Sequence, residues 1–180
     1  MSAPTHPFQI RDYRLIWLAR FISVSATVGM VVVIGAQTYR IARVDYGYSE
    51  AEAAFMLGLL GLAQFIPFLL LTPVAGLLAD RMDRRHVGAV ATGVDLLLAL
   101  ALGIANYTGQ LSLPFLFIMA ALYGSARVFI GPAISAITPN VVPAELLPKA
   151  VAVSSIAWQS AAVIGPALAG FLLAADPARP

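Results

Sequence analysis

Gly76-Leu77-Leu78-Ala79-Asp80-Arg81-Met82-Asp83-Arg84-Arg85 crowds Asp80, Arg81, Asp83, Arg84 and Arg85 together between two long stretches that carry almost no charge. A charged knot so placed predicts a tight cytoplasmic turn joining two membrane helices. The rest of the chain agrees. Its 180 residues are 60% hydrophobic and 11% charged, with a mean hydropathy of +0.86. Soluble domains carry about 25% charged residues. A soluble fold this small has too much surface for its volume to hide so much apolar area. Lipid is the expected surrounding of most of the chain.

Composition also narrows the chemistry. The net charge is only +2, and no basic stripe interleaved with aromatics offers a surface for stacking bases, so nucleic acid is not an expected partner. There are no cysteines, which removes disulfides, thiolate catalysis and thiolate metal sites. His6 and His86 have no partner at ligand spacing, and no metal site is expected. No nucleophile–base–acid set and no glycine-rich phosphate loop is present, so no catalytic residues and no enzyme are expected. The first eight residues are polar and contain proline, unlike a secretory signal.

A helix needs about 20 apolar residues to cross the hydrocarbon core. Five stretches qualify, at about 15–39, 53–78, 87–105, 113–137 and 150–174, after a tail over 1–14 and before a polar loop end over 175–180. Open strands are excluded in lipid by their unpaired backbone groups, and a barrel would alternate along each strand. The connections are short. Ser49 with Glu52 fits a capping box opening the second helix. Gly109 marks a turn over 106–112, and Pro139, Pro143 and Pro148 stiffen 138–149.

Basic residues set the orientation. If the helices alternate, Arg11, Arg14, Arg81, Arg84, Arg85 and Lys149 share one side, against Arg40, Arg43 and Arg179 on the other. The first group is larger, which puts the N-terminus in the cytoplasm. Five crossings then put the C-terminal end outside.

Several residues inside the spans are candidates for function. Gly131, Pro132, Gly165, Pro166 and Gly170 are either close-packing points or hinges. Gly58 and Gly61 are three apart and Gly165 and Gly170 five apart, so neither pair has the four-residue spacing of a dimer motif. Arg20, Asp95 and Arg127 are charges within spans, each costing about 2.5–3.5 kcal/mol at a helix centre. At 1.5 Å per residue, Asp95 lies about 12 Å and Arg127 about 15 Å from the cytoplasmic edge. That depth permits a buried salt bridge, or leaves Arg127 to face a cavity and contact substrate or a proton-carrying acid. Arg20, about 8 Å deep, can snorkel to the headgroups. Gln37, Gln64, Trp158 and Gln159 either line a transport path or bond across helices.

The segment from Gly76 to Arg85 resembles the G-x-L-a-D-r-x-g-r-r/k loop between the second and third helices of major facilitator superfamily transporters. Gly76, Asp80, Arg81, Arg84 and Arg85 match, while Asp83 replaces a frequent glycine. Arg127 and Gly131 resemble the R-x-x-q-G pattern of proton-coupled antiporters, with Ile130 in place of glutamine. Gly165-Pro166-Ala167-Leu168-Ala169-Gly170 resembles the G-P-x-x-G-G pattern of exporters, with Ala169 in place of one glycine. The opening from Phe8 to Ser23 and the stretch from Pro148 to Gly170 are similar to the enterobactin-exporter-like branch.

The resemblance implies an all-α membrane protein, the N-terminal five helices of a six-helix half of a twelve-helix transporter. It implies proton-coupled efflux of a drug- or siderophore-like small molecule across the bacterial inner membrane, by rocking two halves about a central site. A proton gradient then supplies the energy in place of a cofactor. The partners implied are the lipid bilayer, the small-molecule substrate and the missing C-terminal half. The charged loop is the implied conformational switch. The residues alone also suit that role. Asp80 sits where the helix dipole disfavours an anion, and Arg81, Arg84 or Arg85 can compensate. The alternative is a non-transporting membrane fragment or helical subunit that only packs with a partner.

Overall fold

The structure, a computed structural model, describes residues 4–81, 84–135 and 141–175, with side chains outside 79–85 and 130–135. After a 3-10 turn at Pro7–Gln9 come α1 (Arg11–Val44), α2 (Glu50–Arg81), α3 (Arg84–Tyr107), α4 (Leu113–Ser135) and α5 (Leu147–Ala174). No strand occurs among the described residues. Arg11–Val44, Glu50–Leu78, His86–Tyr107 and Ala144–Ala174 are long and apolar enough to cross a membrane, and α4 adds the shorter apolar stretch Leu113–Phe129. The protein is an all-α membrane protein.

The helices run past the spans expected from hydropathy. With its 34 residues, α1 measures about 51 Å, against a hydrocarbon core of about 30 Å. Apolar content marks the crossing. The helix itself continues through Arg11, Asp12 and Arg14 at one end and Arg40 and Arg43 at the other, because the backbone keeps its hydrogen bonds into the headgroup region. The expected connection over 43–52 shortens to the residues between Val44 and Glu50, and Asn106 lies inside α3. Part of the expected stiff loop is helical, with a 3-10 turn at Ala144–Leu146 leading straight into α5. Pro148 falls in the first turn of α5, where its missing N–H costs nothing. The end of the fourth span at 136–137, Pro139 and the loop end at 176–180 lie outside the described residues.

Local chemistry explains the helix ends. Ser49 N donates to Glu52 Oε2 at 2.8 Å and Glu52 N donates to Ser49 Oγ at 3.3 Å, so the expected capping box opens α2. At the end of α3, Gly109 takes φ of +67°. Gln110 N donates to Ala105 O at 2.9 Å and Gly109 N to Asn106 O at 3.3 Å, the paired bonds that close a helix on a left-handed residue.

The chain divides into two compact units, Met1–Met30 with Ile134–Pro180, and Val31–Ala133. In the first, α1 and α5 pack side by side. Tyr13 meets Ala150 and Ser154, Trp17 meets Val153, and Ser25 lies against Gly165. Residue numbers rise together on both helices, so they are parallel, as the first and fifth of five alternating crossings must be. In the second unit, α3 buries Ala91, Leu98, Leu102 and Ala105 along one stripe, the spacing of a single helix face. The opposite faces are apolar too. Leu97 is 66% exposed, Leu70 68% and Val163 72%, a pattern that suits lipid and not water.

Candidate functional site

The charged loop lies at the junction of α2 and α3. Helix is described through Arg81 and again from Arg84, so most of the turn expected over 79–86 is helical, and positions 82–83 lie outside the described residues. Asp80 and Arg81 thus close one helix while Arg84 and Arg85 open the next. Asp80 stands at a negative dipole end, which disfavours it, with Arg81 beside it at an end that favours a cation, and Arg84 with Arg85 stand at a positive end, which disfavours them. The side chains of Asp80, Arg81, Arg84 and Arg85 lie outside the described residues. Gly76 is exposed, and a Cβ there would meet nothing within 4 Å.

Asp95 occupies the gap in the buried stripe of α3, between Ala91 and Leu98. Its Oδ1 is buried and has no hydrogen-bond partner. Arg127 of α4 lies within electrostatic range of it, but the two form no direct ion pair. Among the described residues, then, the two intramembrane charges are not closed into a salt bridge. Arg127 is exposed, although neighbours Ala126 and Val128 are buried. A buried, unpaired carboxylate oxygen is expensive, and inside a membrane such a group marks a path for an ion, proton or substrate.

The seam between α1 and α5 contains several polar contacts across helices. Tyr13 is fully buried; its hydroxyl donates to Ala150 O at 2.7 Å and lies 3.2 Å from Ser154 Oγ. Trp17 Nε1 donates to Val153 O at 2.9 Å. Beyond them α5 presents Ala157, Ala161, Gly165 and Ala169, all buried and spaced by four. A Cβ on Gly165 would strike the backbone oxygen of Ser25 and come within 3.2 Å of its C and Cα. One on Gly29 would come 3.1 Å from Gly165 O. Gly165 is thus the closest-approach point of the two helices. Gly170 has open space around it, with nothing within 4 Å. Ser25 Oγ is buried without a hydrogen-bond partner.

Tyr13, Trp17, Gly29 and the alanine ladder were not among the expected site residues. The ladder was detectable, since alanine serves as well as glycine in a four-residue repeat. The Tyr13 and Trp17 bonds had no such signal, because their acceptors are backbone carbonyls.

The remaining candidates separate. Gln37, 2% exposed, donates from Nε2 to Asn106 Oδ1 at 3.0 Å, tying α1 to α3. Gln64 is half-buried, and its backbone backs onto Gly124 of α4, where a Cβ would come 2.9 Å from Gln64 C. Trp158 and Gln159 are exposed and Arg20 is half-buried. Gly131 and Pro132 fall within α4 but outside the described side chains, and Pro166 interrupts the amide ladder of α5.

Residues 2–179 match the model of a family described as transmembrane secretion effector. The chain is 27% identical over 159 residues to macrolide efflux protein A of Streptococcus pyogenes, covering 87% of this chain and 38% of that protein. It is 29% identical over 170 residues to the enterobactin exporter EntS of Salmonella typhi, covering 94% of this chain and 38% of that protein. An MFS-type transporter of Mycobacterium tuberculosis is 38% identical over 109 residues, 61% of this chain and 24% of that protein. The chain thus spans well under half the length of these relatives. No solved structure matches.

Proposed function

Because the chain belongs to the transmembrane secretion effector family of major facilitator superfamily transporters, we propose that it forms part of a proton-coupled exporter of small amphiphilic molecules at the bacterial inner membrane. The N-terminus lies in the cytoplasm in this reading, and the charged loop between α2 and α3 faces the same side. The remaining helices of the transporter complete a central site, and the two halves rock about it to expose it alternately to each side. The proton gradient supplies the energy. Relatives named for macrolide efflux and enterobactin export support export as the direction and a drug- or siderophore-like compound as the cargo.

The observation that carries this reading is Asp95, with its buried, unpartnered Oδ1 in the field of Arg127. A carboxylate held near a cation but not bonded to it can gain and lose a proton without first breaking an ion pair. Arg127 then senses the charge on Asp95 across the gap between α3 and α4, and the charged loop acts as the switch that holds one of the two states.

The test uses the intact transporter in proteoliposomes with an imposed pH gradient and a radiolabelled macrolide. Gradient-driven accumulation is expected for the wild type. Asp95→Asn is expected to abolish accumulation while keeping exchange of labelled for unlabelled compound. Accumulation that ignores the gradient, or an Asp95→Asn protein that still accumulates, refutes the coupling role.

A further inference from the structure

The segment ahead of α1 folds back onto it. Pro7 is fully buried, and Ile10 packs against the cluster of Tyr13, Val142, Leu146 and Ala150. The Phe8 ring meets Tyr13 at 5.9 Å and Trp17 at 5.5 Å, edge to face in both cases. These are the two side chains that reach the carbonyls of α5. A reciprocal cap holds the 3-10 turn together. Thr5 N and His6 N donate to Gln9 Oε1 at 2.8 and 3.4 Å, and Phe8 N donates to His6 Nδ1 at 3.3 Å. Pro7 has no N–H to offer, and Gln9 N is spent on His6 O at 3.0 Å. The Phe8 amide is therefore the donor that a side chain must satisfy. The His6 ring also lies stacked on Phe8, with centroids 5.7 Å apart.

We propose that His6 is a pH-sensitive catch for this strap: neutral, it holds the strap on the α1–α5 seam, and protonated, it lets the strap go. A backbone N–H only donates, so Nδ1 must carry a free lone pair, and the bond exists only for neutral imidazole. Protonation sets one N–H against another. Histidine is the side chain whose charge changes between about pH 5 and 8, so acid is the releasing direction. The charged groups on the neighbouring elements are Arg11, Asp12 and Arg14 of α1, Glu145 of the second 3-10 turn and Lys149 of α5, all exposed. None is ion-paired with His6 among the described residues, so none of them holds the charged ring in place of the lost bond. Release withdraws Phe8 from Tyr13 and Trp17 and loosens that end of the seam. The inference rests on this geometry alone and stands apart from Asp95 and the transport reading.

The experiment places a nitroxide spin label on Pro4→Cys, an exposed position, in an otherwise cysteine-free form of the intact protein in mild detergent. Paramagnetic resonance then reads the fraction of immobilised label at about pH 8 and about pH 5. With His6 in place, the ratio of docked to released strap is expected to fall by about 2- to 30-fold on acidification, the span of a lost helix cap. His6→Asn offers an acceptor oxygen at either pH, and its label is expected to stay immobilised at both. His6→Ala has no acceptor, and its label is expected to be mobile at both. All three positions of the test are exposed surface, so folding is not at stake. A label that acid leaves unchanged while His6 is present means that stacking on Phe8 holds the charged ring, and overturns the proposal. Equal release by acid with His6→Asn assigns the titration to another group, such as Asp12 or Glu145, and overturns it too. So does a His6→Ala label that stays immobilised at the higher pH, since the cap then holds nothing. Transport is not measured, so a failure here is distinct from a failure of proton coupling.

Discussion

Replacing Gly165 with alanine tests whether the α1–α5 seam is set by backbone contact. A methyl group there meets the Ser25 carbonyl oxygen and lies 3.2 Å from two further backbone atoms of the same residue. Backbone cannot rotate aside as a side chain can, so the helices must separate. Overpacking of this kind costs about 1–3 kcal/mol. Alanine also recovers about 0.8–1 kcal/mol of helix propensity over glycine, which leaves a net loss of up to about 2 kcal/mol. Gly170 is the control, five residues further along the same helix with nothing within 4 Å of its would-be Cβ. Gly170→Ala keeps the propensity gain and meets no obstacle, so it is expected to be neutral or stabilising. The assay is thermal unfolding of the intact protein in detergent, followed by size-exclusion chromatography after stepwise heating. The two variants should bracket the wild type, with Gly165→Ala melting lowest. Equal melting of both variants would show that the seam yields at no cost, and the argument from close approach would fall.

Three further outcomes follow from the same contacts. Tyr13→Phe removes a buried bond to Ala150 O and is expected to cost about 1 kcal/mol in the same melt; an unchanged midpoint would mean the carbonyl loses nothing. Ser49→Ala breaks the capping box of α2 and is expected to cost about 0.5–2 kcal/mol, with Gly58→Ala, which meets nothing within 4 Å, as a neutral comparison. In a cysteine-free background, Gln110→Cys in the exposed α3–α4 turn is expected to react with a membrane-impermeant maleimide added outside intact cells. Labelling only after the cells are opened would reverse the orientation.

The number, order and type of the helices were legible in the residues themselves. Hydropathy is additive along a chain, and a stretch apolar on every face has few places to go but lipid. The ends marked by hydrogen-bonding side chains were legible as well, at Ser49 with Glu52 and at Gly109, because a cap is a local matter of a few residues. The outer limits of the helices were not. Arg11 and Arg43 lie beyond the apolar window yet remain helical, since water and headgroups tolerate a helix that they do not require.

The candidate site divides along the same line. Asp95 and Arg127 were visible as charges at matching depth. That they do not pair depends on the spacing of α3 and α4, which no single helix encodes. Gln37 was visible as a polar group in a span, while its partner Asn106 belongs to a helix far along the chain. By itself the sequence determined that this protein lives in a membrane as a set of helices, because burial in lipid is decided residue by residue. Only the tertiary structure decided which faces meet: that Tyr13 and Trp17 reach carbonyls of α5, and that Gly165 rather than Gly170 is the point where two backbones touch. Such contacts depend on helix register and distance, which exist only once the helices are packed.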